Sequence, residues 1–158
     1  MSQTPATTVL DAADISYRVL PYEHDDAAES YGMEAAEVLG LDPDCVFKTL
    51  MASTDGGDLA VAIVPVSARL DLKALARVAG VKKAFMADPA VAERATGYVV
   101  GGISPLGQRK AHPTFIDETA ELVEEIYVSG GRRGLDLAVA PQDLISVTAA
   151  TVGPIALW

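Results

Sequence analysis

Lys48 stands between Phe47 and Leu50 in an apolar stretch whose pattern predicts at least partial burial. Taking an ammonium out of water is costly unless it is paired or used, so such a lysine either holds a charge for a ligand or reaches back to solvent from an edge strand. Two glycine-bearing stretches are the next candidates, Gly101-Gly102-Ile103-Ser104-Pro105-Leu106-Gly107 and Gly130-Gly131-Arg132-Arg133-Gly134. Glycine lets the main chain approach a ligand and aim N–H groups at a phosphate or an oxyanion, but it also dominates plain turns. Neither stretch has GxGxxG spacing or a Gly-Lys-Ser/Thr ending, so dinucleotide and P-loop chemistry fail at the level of pattern.

Protein nucleophiles are scarce. Cys45 is the single cysteine, with His24 and His112 the two histidines. A lone thiol is more often a small core residue than an attacking group, and no nucleophile-elbow pattern accompanies a serine. One cysteine excludes an intramolecular disulfide, and Cys45 with two histidines leaves too few soft ligands for a structural zinc site. No metal and no cofactor are expected.

The elements that must position these groups alternate between helix and strand. Residues 5–13 read as a short helix and residues 16–22 as a strand ending at a proline; residues 30–39 read as a helix punctuated by Gly40, and Asp42-Pro43 as a turn. Cys45 to Met51 and Leu59 to Val66 are apolar, β-branched runs joined by Thr54-Asp55-Gly56-Gly57-Asp58, which predicts an antiparallel hairpin carrying Lys48. An amphipathic helix follows from Asp71 to Ala79, and another opens at Asp88-Pro89 and closes at Gly97. Tyr98 to Val100 reads as a strand feeding the first glycine stretch, and Pro113 to Ile116 as a further strand. Ile126 to Ser129 and Leu135 to Ala140 flank the second glycine stretch as a hairpin, before a last helix from Pro141 to Val147. The expectation is one α+β (mixed α/β) domain over residues 1–158, a strongly curved, largely antiparallel or mixed sheet flanked by short helices.

Charge gives a divided signal. The formal net charge of −10 argues against a nucleic-acid partner, because phosphate binding is driven by Lys and Arg. The charge is segregated, however: residues 1–68 hold 12 acidic residues against Arg18 and Lys48, whereas residues 69–112 hold 8 basic residues against Asp71, Asp88 and Glu93. That segment suits a phosphate-facing surface, or simply the solvated faces of ordinary helices. Apolar runs fall far below the roughly 18 residues of a membrane span, and the N-terminus lacks the basic and apolar regions of a secretory signal. A cytoplasmic location without membrane contact is expected.

Five stretches, in order and with compatible spacing, resemble one family. They are Tyr22-Glu23-His24-Asp25, Val46 to Leu50, Leu70 to Lys73, Thr96 to Gly107 and Tyr127 to Asp136. The sequence is similar to the YbaK-type Cys-tRNA(Pro)/Cys-tRNA(Cys) deacylases, relatives of the editing domain inserted into bacterial prolyl-tRNA synthetases. The resemblance runs from about residue 5 to about residue 150, and the block Thr96 to Gly107 is its most specific part. It implies the YbaK/prolyl-tRNA synthetase-associated editing-domain fold, with catalytic positions at Lys48 and Gly101 and substrate-binding positions at Tyr22, Tyr98, Ser129 and Asp136. The short hairpin at Asp55 to Asp58 and the apolar stretch Thr151 to Trp158 depart from the family's pattern without touching those positions.

The implied partner is the 3' end of an aminoacylated tRNA, and possible delivery by prolyl-tRNA synthetase follows from the same resemblance. The ester is already activated, so a catalyst mainly has to hold it and stabilise charge on the carbonyl oxygen. Backbone N–H groups near Gly101 suit that task. Lys48 could polarise the ester or anchor the terminal adenosine phosphate. The resemblance further implies that the substrate's own cysteine thiol attacks its carbonyl, a role for which a thiol of pKa about 8.5 is suited and a serine hydroxyl is not. Two alternatives stand beside this: an Ala-tRNA(Pro) deacylase that uses water, and a non-catalytic tRNA- or synthetase-binding module.

Overall fold

The computed structural model describes residues 3–27 and 30–158. Helix α1 (Pro5–Ala12) starts where Thr4 accepts from the Thr7 N–H, the Thr7 side chain accepts from the Thr4 N–H, and Pro5 presets the first turn. Strand β1 (Tyr17–Pro21) leads to α2 (Tyr31–Leu39), which Ser30 caps and which Gly40 ends in the left-handed region. Strands β2 (Phe47–Thr54) and β3 (Leu59–Pro65) form the expected hairpin, with Lys48 opposite Val64. After β4 (Arg69–Leu70), Asp71 caps α3 (Leu72–Ala79); β5 (Ala84–Met86) then leads to α4 (Pro89–Thr96), capped by Asp88.

The second half holds β6 (Thr114–Asp117), a 3-10 turn (Glu118–Leu122), β7 (Ile126–Arg132), β8 (Leu135–Val139), α5 (Pro141–Thr148), β9 (Thr151–Gly153) and β10 (Ala156–Leu157). Among the described residues the strands form a five-stranded mixed sheet ordered β5-β2-β3-β6-β9, an antiparallel sheet ordered β1-β8-β7, and a β10-β4 ribbon. A parallel bridge between Val46 and Tyr127 joins the two larger sheets.

One core lies between these sheets. It combines Phe47, Met51, Val61, Ile63 and Ile116 with Ile126, Val128, Leu137 and Val139, closed by Ala6 and Leu10 of α1 and Leu144 of α5. A second core covers the other face of the large sheet, where Ala52, Ala60, Ala62 and Val64 meet Leu75 of α3, Phe115 and Ile155. Burial on both faces explains why β3 reads as a continuous apolar run. The mixed α+β single-domain architecture is as expected. No helix among the described residues is long and apolar enough to cross a membrane.

Two parts of the sequence-based expectation need correction. Tyr98 to Val100 is not a strand: Gly97 ends α4 with φ +81°, and the Gly102 N–H donates to the Val99 carbonyl oxygen at 2.8 Å, closing a turn. Its apolar character comes from Tyr98, which is buried, whereas Val99 is half exposed. Strands β4, β5, β9 and β10 were not expected, since two or three residues are too few to show a period of two.

Candidate active site

A cavity of about 360 Å³ opens where β2 of the large sheet meets β7 and β8 of the smaller one. That is within the size range of small-ligand sites. β2 supplies residues 47–51, β7 supplies Ser129, and β8 supplies Asp136. The rim is completed by Tyr22, the start of α2, Met86 and Ala87, the start of α4, and the loop at Val100, Gly101 and Ile103.

Lys48 is half-buried in this wall, and among the described residues no carboxylate lies within ion-pair reach of it. Burial, and then the nearby charge of Arg69, hold its pKa below the usual lysine range. Asp136 is 5% exposed, and its carboxylate has no hydrogen bond among the described residues. Burial alone pushes its pKa up to about 7. A cation and a carboxyl group therefore line one cavity without pairing with each other. A half-buried ammonium and a buried carboxyl group suit a ligand that carries groups of both signs.

Around Asp136 the hydrogen-bonding groups converge by register. Ser129 is its direct cross-strand partner, so both side chains leave the sheet on the same face. Ser129 Oγ accepts from the Gly131 N–H at 3.2 Å. Burial and the neighbouring Asp136 push the Tyr22 phenol up to about 12, so its hydroxyl keeps its proton as a donor. Thr49, beside Lys48, is a residue that sequence reasoning missed. Its Oγ1 is enclosed in the cavity wall without a hydrogen-bond partner. A hydroxyl in a strand is ordinary in a sequence, and only the three-dimensional packing shows it unsatisfied.

The glycine-bearing loop is held tightly. Gly101 has φ +89°, and a Cβ there would lie 2.8 Å from the Tyr31 ring, so glycine is required on both counts. The Val100 N–H donates to Glu93 Oε2 at 2.8 Å and the Gly102 N–H to Val99, which leaves the Gly101 N–H without an acceptor among the described residues. The second glycine hairpin fastens onto this loop. Arg133 donates from Nε to the Val100 carbonyl oxygen at 2.9 Å, and its guanidinium lies 4.9 Å from the Tyr31 ring centroid.

Five of the six expected positions, Lys48, Gly101, Tyr22, Ser129 and Asp136, thus line one cavity. The structure does not bring Tyr98 to that wall. Its ring is buried, and its hydroxyl donates to the Leu106 carbonyl oxygen at 2.6 Å. Tyr98 acts on the loop that carries Gly101 and stands outside the cavity lining. Cys45 also lies off the wall, and burial pushes its thiol up, away from thiolate character. His24 contacts Glu34 at 2.8 Å and Asp26 at 3.2 Å, while His112 contacts Gln108 at 2.9 Å. Among the described residues neither histidine is paired with a serine or cysteine.

Residues 26–147 match the aminoacyl-tRNA editing domain family. EbsC of Enterococcus faecalis, provisionally named a Cys-tRNA(Pro)/Cys-tRNA(Cys) deacylase, is 40% identical over 113 residues, covering 72% of this chain and 69% of that protein. A crystal structure provisionally described as a trans-editing enzyme for prolyl-tRNA synthetase superposes with a TM-score of 0.80 at 23% identity, covering 99% of each chain. Another, of a hypothetical protein, superposes with a TM-score of 0.87 at 24% identity over 97% of this chain and 99% of that one.

Proposed function

From the premise that this chain belongs to the aminoacyl-tRNA editing domain family, we propose that it removes cysteine from mischarged tRNA(Pro). It acts in trans, in the cytoplasm where charged tRNA is used, on the acylated 3' end; Cys-tRNA(Cys) is a second substrate. The provisional name of EbsC supports the amino acid, and likeness to a solved protein described as a trans-editing enzyme supports a link to prolyl-tRNA synthetase. The observation that carries the reading is that Lys48 and Asp136, neither of them ion-paired among the described residues, line one cavity with Gly101, whose N–H has no acceptor among those residues.

An aminoacyl ester fits these groups in one orientation. The α-ammonium of cysteine meets the Asp136 carboxylate, a charge-assisted contact that also favours the ionised acid. Tyr22 and Ser129 supply hydrogen bonds to the amino acid or ribose, and Lys48 supplies positive charge to the tRNA end. The Gly101 N–H faces the carbonyl oxygen, where negative charge grows.

The substrate thiolate sulfur then attacks the ester carbonyl carbon. The carbonyl–ribose oxygen bond breaks, the ribose oxygen takes up a proton, and the cysteine leaves as a cyclic thioester. This needs no protein nucleophile, in keeping with a thiol at Cys45 that burial disfavours as a thiolate. With a net charge of −10 the grip on tRNA is weak, which favours delivery of the substrate by prolyl-tRNA synthetase.

Incubation with Cys-, Ala- and Ser-tRNA(Pro), following loss of the amino acid, tests the proposal. Rapid loss of cysteine alone is expected. Equal or faster loss of alanine points to a water-using Ala-tRNA(Pro) deacylase, and loss of none points to a binding module.

A further inference from the structure

We infer that Arg69 is a second anion-binding residue of this site, and that with Lys48 it grips the phosphodiester joining the last two nucleotides of the tRNA. This deepens the proposed function and rests on it for the identity of the ligand.

The fold brings the two cations together by a short return of the chain. Lys48 lies opposite Val64 on β3, which ends one residue later at Pro65. The Val66 N–H then donates to the Val46 carbonyl oxygen at 2.8 Å, and the Ala68 N–H donates to the Pro65 carbonyl oxygen at 3.0 Å. This turn delivers Arg69 to the end of the strand pair that carries Lys48. On the β4-β10 ribbon, Leu70 and its partner Ala156 pack against the core, while Arg69 and its partner Leu157 are exposed.

Arg69 lies close enough that its charge lowers the pKa of Lys48, second only to burial. Like charges held near each other repel unless an anion lies between or beside them. Among the described residues neither cation has an ion-pair partner. The carboxylates nearest in sequence each accept a hydrogen bond from another group: Asp71, beyond Arg69, from the Ala74 N–H at 3.1 Å, and Asp44, before Lys48, from the Ser67 hydroxyl at 2.6 Å.

The chemistry of the substrate then selects the anion. An aminoacyl ester carries no full negative charge before reaction, whereas each phosphodiester carries one, spread over two oxygens that a guanidinium and an ammonium can share. A carbonyl oxygen needs one donor, and a phosphate is served by two cations. Arg69 also opens the segment from residue 69 to residue 112, where basic residues outnumber acidic ones.

Binding of the dinucleotide CpA, which contains the linkage, compared with adenosine, which lacks it, tests this directly by calorimetry or fluorescence titration. The wild type should bind CpA at least about tenfold more tightly than adenosine. Arg69→Gln should lose about tenfold for CpA with adenosine unchanged, and Arg69→Lys should recover most of that loss. The inference is overturned if Arg69→Gln binds CpA like the wild type, or if it loses CpA and adenosine equally. Deacylation of Cys-tRNA(Pro) by the same preparations reports separately on the reaction. A protein that binds CpA through Arg69 yet spares Cys-tRNA(Pro) would keep the phosphate grip and sink the proposed activity.

Discussion

The Tyr98 hydroxyl donates to the Leu106 carbonyl oxygen at 2.6 Å, tying the residue just beyond α4 to the far end of the loop that contains Gly101. The ring is buried, and burial pushes the phenol up to about 12, so the hydroxyl keeps its proton as a donor at neutral pH. The loop's shape is thereby fixed from behind.

Tyr98→Phe should destabilise the protein by about 1 kcal/mol, because it deletes one hydrogen bond and leaves the Leu106 carbonyl oxygen unpaired. Thermal unfolding checks the loss. If Tyr98 serves the loop and not the substrate, kcat should fall while KM for Cys-tRNA(Pro) stays near the wild-type value.

Lys48→Ala should lower kcat/KM for Cys-tRNA(Pro) at least about tenfold. The same change removes a half-buried ammonium that no carboxylate on the described residues pairs with, so stability should not fall by the amount expected for a lost ion pair. Steady-state kinetics and a melting curve on one preparation separate the two effects. An unchanged rate would remove Lys48 from the site.

Asp136 makes stability depend on pH in a defined direction. Its carboxyl has an ordinary value of 3.8 and is raised to about 7 in the folded chain. Between those values the native protein retains a proton that the unfolded chain releases, so this group's contribution to stability falls as pH rises from about 4 to about 7 and is level above that. Asp136→Asn should therefore match the wild type near pH 4 and exceed it at pH 8, by at most on the order of 4 kcal/mol. Melting temperatures of both proteins across that range check the widening gap, and a constant gap would contradict it. If Asp136 holds the substrate's ammonium as proposed, the variant should also lose deacylase activity, since an amide carries no charge to pair with it.

Thr49→Val keeps the side chain's shape and removes the unpartnered Oγ1. Relief of an unsatisfied buried hydroxyl should raise stability by about 1 kcal/mol. If that hydroxyl serves the ligand, KM for Cys-tRNA(Pro) should rise at the same time. A gain in stability with unaltered kinetics would make Thr49 a packing residue only.

Much of the frame was legible because its signals are local. Ser30, Asp71 and Asp88 cap helices as their types suggest, and Gly40, Gly80 and Gly97 end them in the left-handed region. The hairpin carrying Lys48 follows from two β-branched runs and a glycine turn. Non-local features were not legible. Nothing in the run Tyr98-Val99-Val100 distinguishes a strand from one buried ring followed by a turn. The separation of the two larger sheets, which meet at Val46 and Tyr127, depends on pairings between distant segments. Of the site, Lys48 stood out by its apolar neighbours, whereas Asp136 and Tyr22 were indicated only by family resemblance. Their convergence is set by the register of Ser129 with Asp136, and a register cannot be seen within either strand alone.

Lys48 belongs to the five-stranded sheet, whereas Ser129 and Asp136 belong to the three-stranded one. A substrate that touches all of them is a clasp across the joint, and its occupancy should slow amide exchange in strands it never meets. The products undo that clasp from one side. On the proposed reading, once the amino acid has left, the tRNA would keep its hold near Lys48 but have nothing to offer Asp136, so the finished molecule is the one the two sheets would release.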